Sequence, residues 1–297
     1  LELTIDTKNI QTKEFSWTSS FNISFNRNKV LSLNDDEPSL ASRVNWGNFN
    51  NAYPYIAIPG HPIAMFYGHI FDGVYQYTDF DKVGESYILK DGVPNNGNAR
   101  EKIQPGDIKF KDINRDGVVN DYDLTIIGNP NPKHIGGFGN NFQYKNFDLN
   151  VFFQWSYGGD VLNANRIEFE GGDPNARTSL NMFASFANRW TPENQTNELY
   201  RIGGQGPAVY SSRTIEDGSF LRLKTVSLGY RLPNAWLKKI NIKSLRVYAS
   251  AQNLITWTRY SGPDPEVSTR PTALTPSFDW SPYPRPRTLT LGVDISF

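Results

Sequence analysis

The final eleven residues, 287–297, constrain the fold more than any other stretch. Leu289, Leu291, Val293, Ile295 and Phe297 alternate without a break against Thr288, Thr290, Gly292, Asp294 and Ser296. A period of two this regular specifies a strand with one apolar and one polar face. Similar segments recur upstream. Phe15, Trp17, Phe21, Ile23 and Phe25 share one parity, as do Phe147, Leu149, Val151, Phe153, Trp155 and Tyr157. Their lengths match the roughly 9–11 residues with which a tilted β-strand crosses a membrane. The terminal aromatic ring favours a barrel strand over a strand of a soluble sandwich. The expected fold class is all-β: the C-terminal portion of a large antiparallel transmembrane β-barrel with long extracellular loops.

Composition is compatible with that reading. Thirty basic and thirty acidic residues leave no net charge, so nucleic acid is not an expected partner. The absence of cysteine excludes disulfides, thiol chemistry and Cys-based zinc sites. No apolar run approaches the length of a membrane-crossing helix. Nineteen Phe, fifteen Tyr and seven Trp supply the rings that barrels concentrate at membrane interfaces. The chain opens in mid-strand at Leu1-Glu2-Leu3, without Met, which suggests a C-terminal segment of a longer protein.

Taken in order, strands around 1–7 and 14–25 are followed by a stretch, 56–76, whose parity is broken by Pro59, Gly60, Pro62, Gly68 and Gly73. Two strands meet tightly at Lys145-Asn146. A strand over 220–232 needs one bulge, because Leu221 and Leu223 disagree in parity with Val226, Leu228 and Tyr230. Residues 233–239 read as a short amphipathic helical turn. Three excursions, 78–132, 158–218 and 256–286, read as long loops, the first with a short helix and a weakly structured turn region over 91–99, the second with two helical pieces around 161–169 and 179–190. All three leave the strands on one side, and the short connections lie on the other. Parity places Phe15, Phe21, Ile23, Leu149, Val151, Phe153, Val247, Leu291, Val293 and Ile295 on a lipid-facing side. Asn22, Asn150, Gln154, Arg246, Gln252 and Asp294 fall on the opposite, lumen-facing side.

The sharpest chemical motif is 112–123. Asp112, Asn114, Asp116, Val118, Asn120 and Asp123 occupy positions 1, 3, 5, 7, 9 and 12 of a loop with Gly117 at position 6. Hard oxygen ligands at this spacing, with a glycine for the sharp turn, suit a structural Ca2+ ion. Val118 would offer its carbonyl, and Asp123 in place of the EF-hand Glu is similar to a dockerin loop. The alternative is an Asp/Asn/Gly turn held by side-chain to backbone hydrogen bonds, with no ion. His61, His69 and His134 are isolated, and no nucleophile elbow or paired-carboxylate context stands out. No enzyme activity is expected. Glu168, Glu170 and Asp173 read as a solvated acidic loop.

Five stretches together resemble the C-terminal part of SusC/RagA-type TonB-dependent outer-membrane transporters. These are Pro62-Ile-Ala-Met-Phe-Tyr-Gly-His-Ile-Phe-Asp-Gly-Val74, Gly106-Asp-Ile-Lys-Phe-Lys-Asp-Ile-Asn-Arg-Asp-Gly117 with its continuation to Asp123, and Ile127-Gly-Asn-Pro-Asn-Pro132. Further on come Asp217-Gly-Ser-Phe-Leu-Arg-Leu-Lys-Thr-Val-Ser-Leu-Gly-Tyr230 and Val247-Tyr-Ala-Ser-Ala-Gln-Asn-Leu-Ile255. The resemblance spans 1–297. It implies energy-dependent import of glycans or peptides across the cell outer membrane, in a 22-stranded barrel closed by an N-terminal plug. The expected partners are a SusD-like surface lipoprotein lid, TonB, the remaining barrel and plug segment, outer-membrane lipid and an oligosaccharide or peptide substrate. The N-terminal plug and earlier barrel strands have no counterpart in these 297 residues. The competing reading is a secreted, calcium-stabilised carbohydrate-binding or adhesion β-domain.

Overall fold

The computed structural model describes residues 1–44, 52–171, 181–208, 210–238, 241–269 and 272–297. Seven strands form the main sheet: β1 (Glu2–Gln11), β2 (Phe15–Ser24), β3 (His134–Tyr144), β4 (Phe147–Tyr157), β5 (Phe220–Arg231), β6 (Ser244–Thr258) and β7 (Thr288–Ser296). Each pairs antiparallel with its neighbour in sequence, so the sheet is a simple meander. The alternation anticipates its two faces correctly. Asn22, Asn150, Gln154, Arg246, Gln252 and Asp294 fall on one face through the register Asn22↔Gly137↔Gln154↔Arg222 and Arg231↔Arg246↔Asp294. Phe21, Phe138, Phe153 and Leu223 line up on the other.

The expected barrel portion is corrected by this topology. The sheet is open, with β1 and β7 as its two edges, and no sheet closes among the described residues. Alternation dictates two chemically distinct faces, but closure needs the two edge strands to pair with each other. Here they do not. Nor is the chain purely β: α1 (Ala164–Glu170) and α2 (Asn234–Leu237) add short helices. No helix among the described residues is long and apolar enough to cross a membrane.

The expected bulge in β5 is present. Between Thr225 and Leu223 the register shifts against both β4 and β6, and Asn253 of β6 takes a left-handed φ of 51° to absorb the second shift. Lys145, at φ 51°, makes the tight β3–β4 turn. Residues 25–133, 158–219 and 259–287 all leave one end of the sheet, while 12–14, 145–146 and 232–243 connect strands at the other.

The long connections are not loosely structured, as their sequence suggests. Among the described residues they hold the most deeply buried apolar side chains. Leu40–Ser42, Tyr55–Ala57, Met65–Gly68 and Thr125–Gly128 form a four-stranded sheet. Asp160–Asn163 pairs antiparallel with Ile215–Asp217 and parallel with Phe278–Asp279. Tyr55 and Phe66 of the first connection, Leu162 and Ala164 of the second and Phe278 of the third share one fully buried cluster. A second core gathers Val74, Ile108, Phe110, Val119, Trp190, Leu199 and Tyr200. Strands of two to four residues are too short to print a period of two, which is why sequence patterning passes over them.

Glycines let large side chains lie across the sheet. A Cβ on Gly136 would sit 2.4 Å from the Asn22 carbonyl oxygen and 2.3 Å from the Trp155 ring. At Gly139 the nearest atoms, on Phe152 and Ser20, are at ordinary contact distances of 3.6 and 3.9 Å. Gly136→Ala is therefore expected to destabilise the full-length protein by about 1–3 kcal/mol through overpacking against fixed backbone, whereas Gly139→Ala stays near neutral. Thermal unfolding of both variants checks this, and equal midpoints would contradict the packing.

Candidate functional site

A cavity of about 680 Å³ opens where the polar face of the sheet meets the connections. Asn22, Phe152 and Gln154 supply its sheet wall, and Pro265, Glu266 and Val267 of the third connection face them. Phe152 reaches the site because Gly137 and Gly139, on the adjacent strand, leave room for its ring.

Beside the cavity lies a cluster of four charges. Arg222 of β5 is 2% exposed, yet every nitrogen of its guanidinium has a partner. Nε donates to Thr256 Oγ1 at 3.0 Å, Nη1 to Glu266 Oε2 at 2.9 Å and Nη2 to Asp264 Oδ1 at 2.5 Å. From the solvent side Arg285 places Nε 3.0 Å from Asp264 Oδ2 and donates from Nη1 to Glu266 Oε2 at 2.7 Å. Gln154 Nε2 donates to the other oxygen of Glu266 at 3.4 Å. Two cations and two anions alternate, so the buried charge is compensated in place.

A second ionic site lies at the opposite end of the polar face. Arg246 of β6 crosses over Gly229 of β5 to reach Asp148 of β4, with Nε to Oδ1 at 3.0 Å and Nη2 to Oδ2 at 2.6 Å. Its Nη1 also donates to Asp294 of β7 at 3.2 Å. This two-pronged hydrogen bonding holds the Asp148 carboxyl below the usual carboxylate range and raises the Arg246 pKa. Neither ionic site was legible in sequence, since the partners stand 42, 44 and 98 residues apart.

The second connection carries a third network. Glu170 accepts from Arg166 Nε at 2.9 Å, Arg213 Nη1 at 2.7 Å and Ser185 Oγ at 2.7 Å. Burial alone would push its carboxyl up, but the Ser185 hydroxyl and the two guanidiniums outweigh it and hold the pKa down. The expected solvated acidic loop is thus corrected for Glu170, which is 6% exposed; Asp173 lies outside the described residues.

The 112–123 loop is wound by hydrogen bonds from its marked Asp and Asn side chains to its own backbone. Asp112 accepts from the backbone N–H of Arg115 at 2.6 Å and of Gly117 at 2.8 Å, Asn114 from Asp116 at 3.0 Å and Asp116 from Val118 at 2.8 Å. Asn120 accepts from Tyr122 at 2.8 Å. Asp123, fully buried, accepts from Ile113 at 2.7 Å and Asn120 at 2.9 Å. Gly117 takes φ 85° and Arg115 φ 63°, as the tight winding demands. These bonds are those of an Asp/Asn/Gly turn. Among the described residues, no group of three or more His, Cys, Asp and Glu is arranged to hold a metal ion. His69 stacks on Phe110 at 5.2 Å, and the Nδ1 of His134 accepts from Trp155 Nε1 at 3.1 Å.

Asp279 is a buried carboxylate of the third connection. It is fully buried, one carboxylate oxygen accepts from the Tyr260 hydroxyl, and the other has no hydrogen-bond partner. Burial pushes its pKa up, and the nearby Glu216 and Asp264 add to the shift against the Tyr260 hydrogen bond.

No protein-family model matches the chain. Over its whole length it is 35% identical to TonB-dependent receptor P3 and 32% identical to TonB-dependent receptor P26, both of Formosa agariphila, covering 28% of each. It is 29% identical to the TonB-dependent receptor SusC of Bacteroides thetaiotaomicron, covering 26% of it. Among solved structures it resembles the RagAB peptide transporter with a TM-score of 0.73 at 24% identity, covering 100% of this chain and 29% of that one. The chain thus spans between a quarter and a third of the length of the relatives it matches, and it is homologous to that stretch of TonB-dependent receptors of the SusC/RagA kind.

Asp279 yields a signed pH prediction. Its folded pKa lies above its unfolded value, so the proton-bound form is favoured by folding, and that stability is lost as pH rises from about 4 through the raised value. Asp279→Asn removes the titration while keeping an acceptor for Tyr260. Relative to wild type, the variant should gain stability across that window and lose its advantage on acidification. Thermal midpoints against pH test this, and parallel profiles would contradict it.

Proposed function

We propose that this chain serves a TonB-dependent transport protein of the outer membrane in the import of an oligosaccharide or a peptide. The observation that carries the reading is 35% identity to a TonB-dependent receptor across all 297 residues, with no part of the chain left unmatched. The likeness of fold to the RagAB peptide transporter agrees with it. Under this proposal a SusD-like surface lipoprotein is the partner at the mouth of the transporter, with the connections 25–133, 158–219 and 259–287 on the extracellular side. TonB supplies energy through another part of the protein.

Deletion of the gene in the producing bacterium tests the proposal. Growth on one class of oligosaccharide or peptide should fail, growth on the corresponding monosaccharides or amino acids should persist, and the full-length gene should restore the lost growth. Unimpaired growth on every oligosaccharide and peptide the wild type uses would overturn it.

We propose further that the loop 112–123 takes a structural Ca2+ ion through Asp112, Asn114, Asp116, Asn120, Asp123 and the Val118 carbonyl. The support is the ligand spacing and the left-handed turn at Gly117, which suit a hard cation with six to eight oxygen ligands. The ion would brace the 78–132 segment rather than perform chemistry. Limited proteolysis should show cleavage within 78–132 on chelation, and the same cleavage with calcium present in Asp112→Ala/Asp116→Ala. An identical pattern with and without chelator would leave the ion-free turn.

A further inference from the structure

The third connection, 259–287, is held to the molecule in two different ways. Its far part is anchored by backbone pairing and apolar burial. Phe278 pairs in parallel with Leu162, the Leu162 N–H donates to Ser277 O at 3.0 Å, and the Tyr55 hydroxyl donates to Pro276 O at 2.8 Å. Its near part, 261–268, makes no backbone-to-backbone hydrogen bond to the sheet among the described residues. That part reaches the sheet only through side chains, Asp264 and Glu266 on Arg222 and Glu266 on Gln154, while Ser261 on Glu216 and Asn163 and Val267 packed with Val161 tie it to the second connection. Pro265, Glu266 and Val267 are also one wall of the 680 Å³ cavity.

We propose that Arg222, Asp264, Glu266 and Arg285 form an ionic latch that holds the 261–268 segment against the sheet and so sets the opening of the cavity. A compensated buried cluster suits this role. It adds little net stability over an apolar contact of the same shape, yet loss of one member strands the others without compensation. The closed position is therefore well defined, and any event that engages Glu266 or Asp264 releases it. Glu266 stands at the meeting point, since it belongs to the cluster and to the cavity wall and bonds to Gln154 across that wall. A solute group that competes for Glu266 inside the cavity would loosen the same segment that encloses it. The far anchor at Phe278 keeps the rest of the connection in place during such an opening.

The 297 residues contain no cysteine, so peptide mapping reads an introduced thiol alone. In the full-length protein, Val267→Cys reports on the latched segment, and Ala164→Cys, fully buried beside Phe278, reports on the core. The probe is a hydrophilic maleimide. Arg222→Gln should raise the labelling rate at position 267 by roughly tenfold or more while position 164 stays slow. Glu266→Gln, which keeps the side-chain shape and a hydrogen-bonding group, should raise the rate at 267 by less. Equal rates at 267 with and without Arg222 would overturn the latch. A joint rise at 267 and 164 would overturn it too, because Arg222 would then hold the whole fold rather than one segment. Labelling reads the segment's opening whether or not the protein moves a solute, so a failed growth test leaves this result independent.

Discussion

Phe278, fully buried, packs in one cluster with Leu162, Tyr55 and Phe66, and the organisation of the connections depends on that contact. The four residues come from three segments separated by main-sheet strands, so burying this cluster takes all three connections together. The strands that carry these side chains run only two to four residues each, too short to be stable without that shared packing. The meander makes the contact available. Because the seven strands pair strictly in sequence order, the three long connections leave the same end of the sheet and meet there.

The sheet and the connections solve different problems. The sheet satisfies its backbone groups in ladders and keeps an apolar face that stays accessible, with Leu291 at 87% and Val293 at 57% exposure. Its polar face is instead tied up by charge. Arg246 spans three strands by passing over a glycine, and Arg222 binds the sheet to the third connection. The connections carry the dense interior. Buried carboxylates there are matched by guanidiniums at Glu170, whereas Asp279 has a tyrosine hydroxyl and no such cation. The functional candidates fall at the junction between these two parts, where a cavity, an ionic cluster and a segment held to the sheet by side chains coincide.

Sequence patterning was strong where a single physical rule acts over ten or so consecutive residues. The parity of Phe147 to Tyr157 and of Leu289 to Ile295 settles which residues share a face, and the parity conflict in 220–232 marks a real bulge. It was silent on closure, because an open sheet and a closed barrel impose the same alternation. The 112–123 turn was legible since its Asp112 and Asp123 side chains hydrogen-bond within the loop itself. Arg222 and Arg246 were not, because their partners are brought together only by strand register and by the fold of a distant connection. The deep core was hidden for the same reason. Tyr55 and Phe278 stand 223 residues apart in numbering and carry no shared pattern.

The central claim is that three connections fold as one unit around a shared core. Native-state hydrogen exchange on the full-length protein carrying Phe278→Ala tests it most directly. A fully buried Phe→Ala change costs about 3–5 kcal/mol at its site. If the core is shared, protection should fall together at Tyr55–Ala57, Met65–Gly68 and Asp160–Asn163, while β3 and β4 keep their wild-type exchange. Loss of protection confined to 259–287, with the other two connections unchanged, would contradict it.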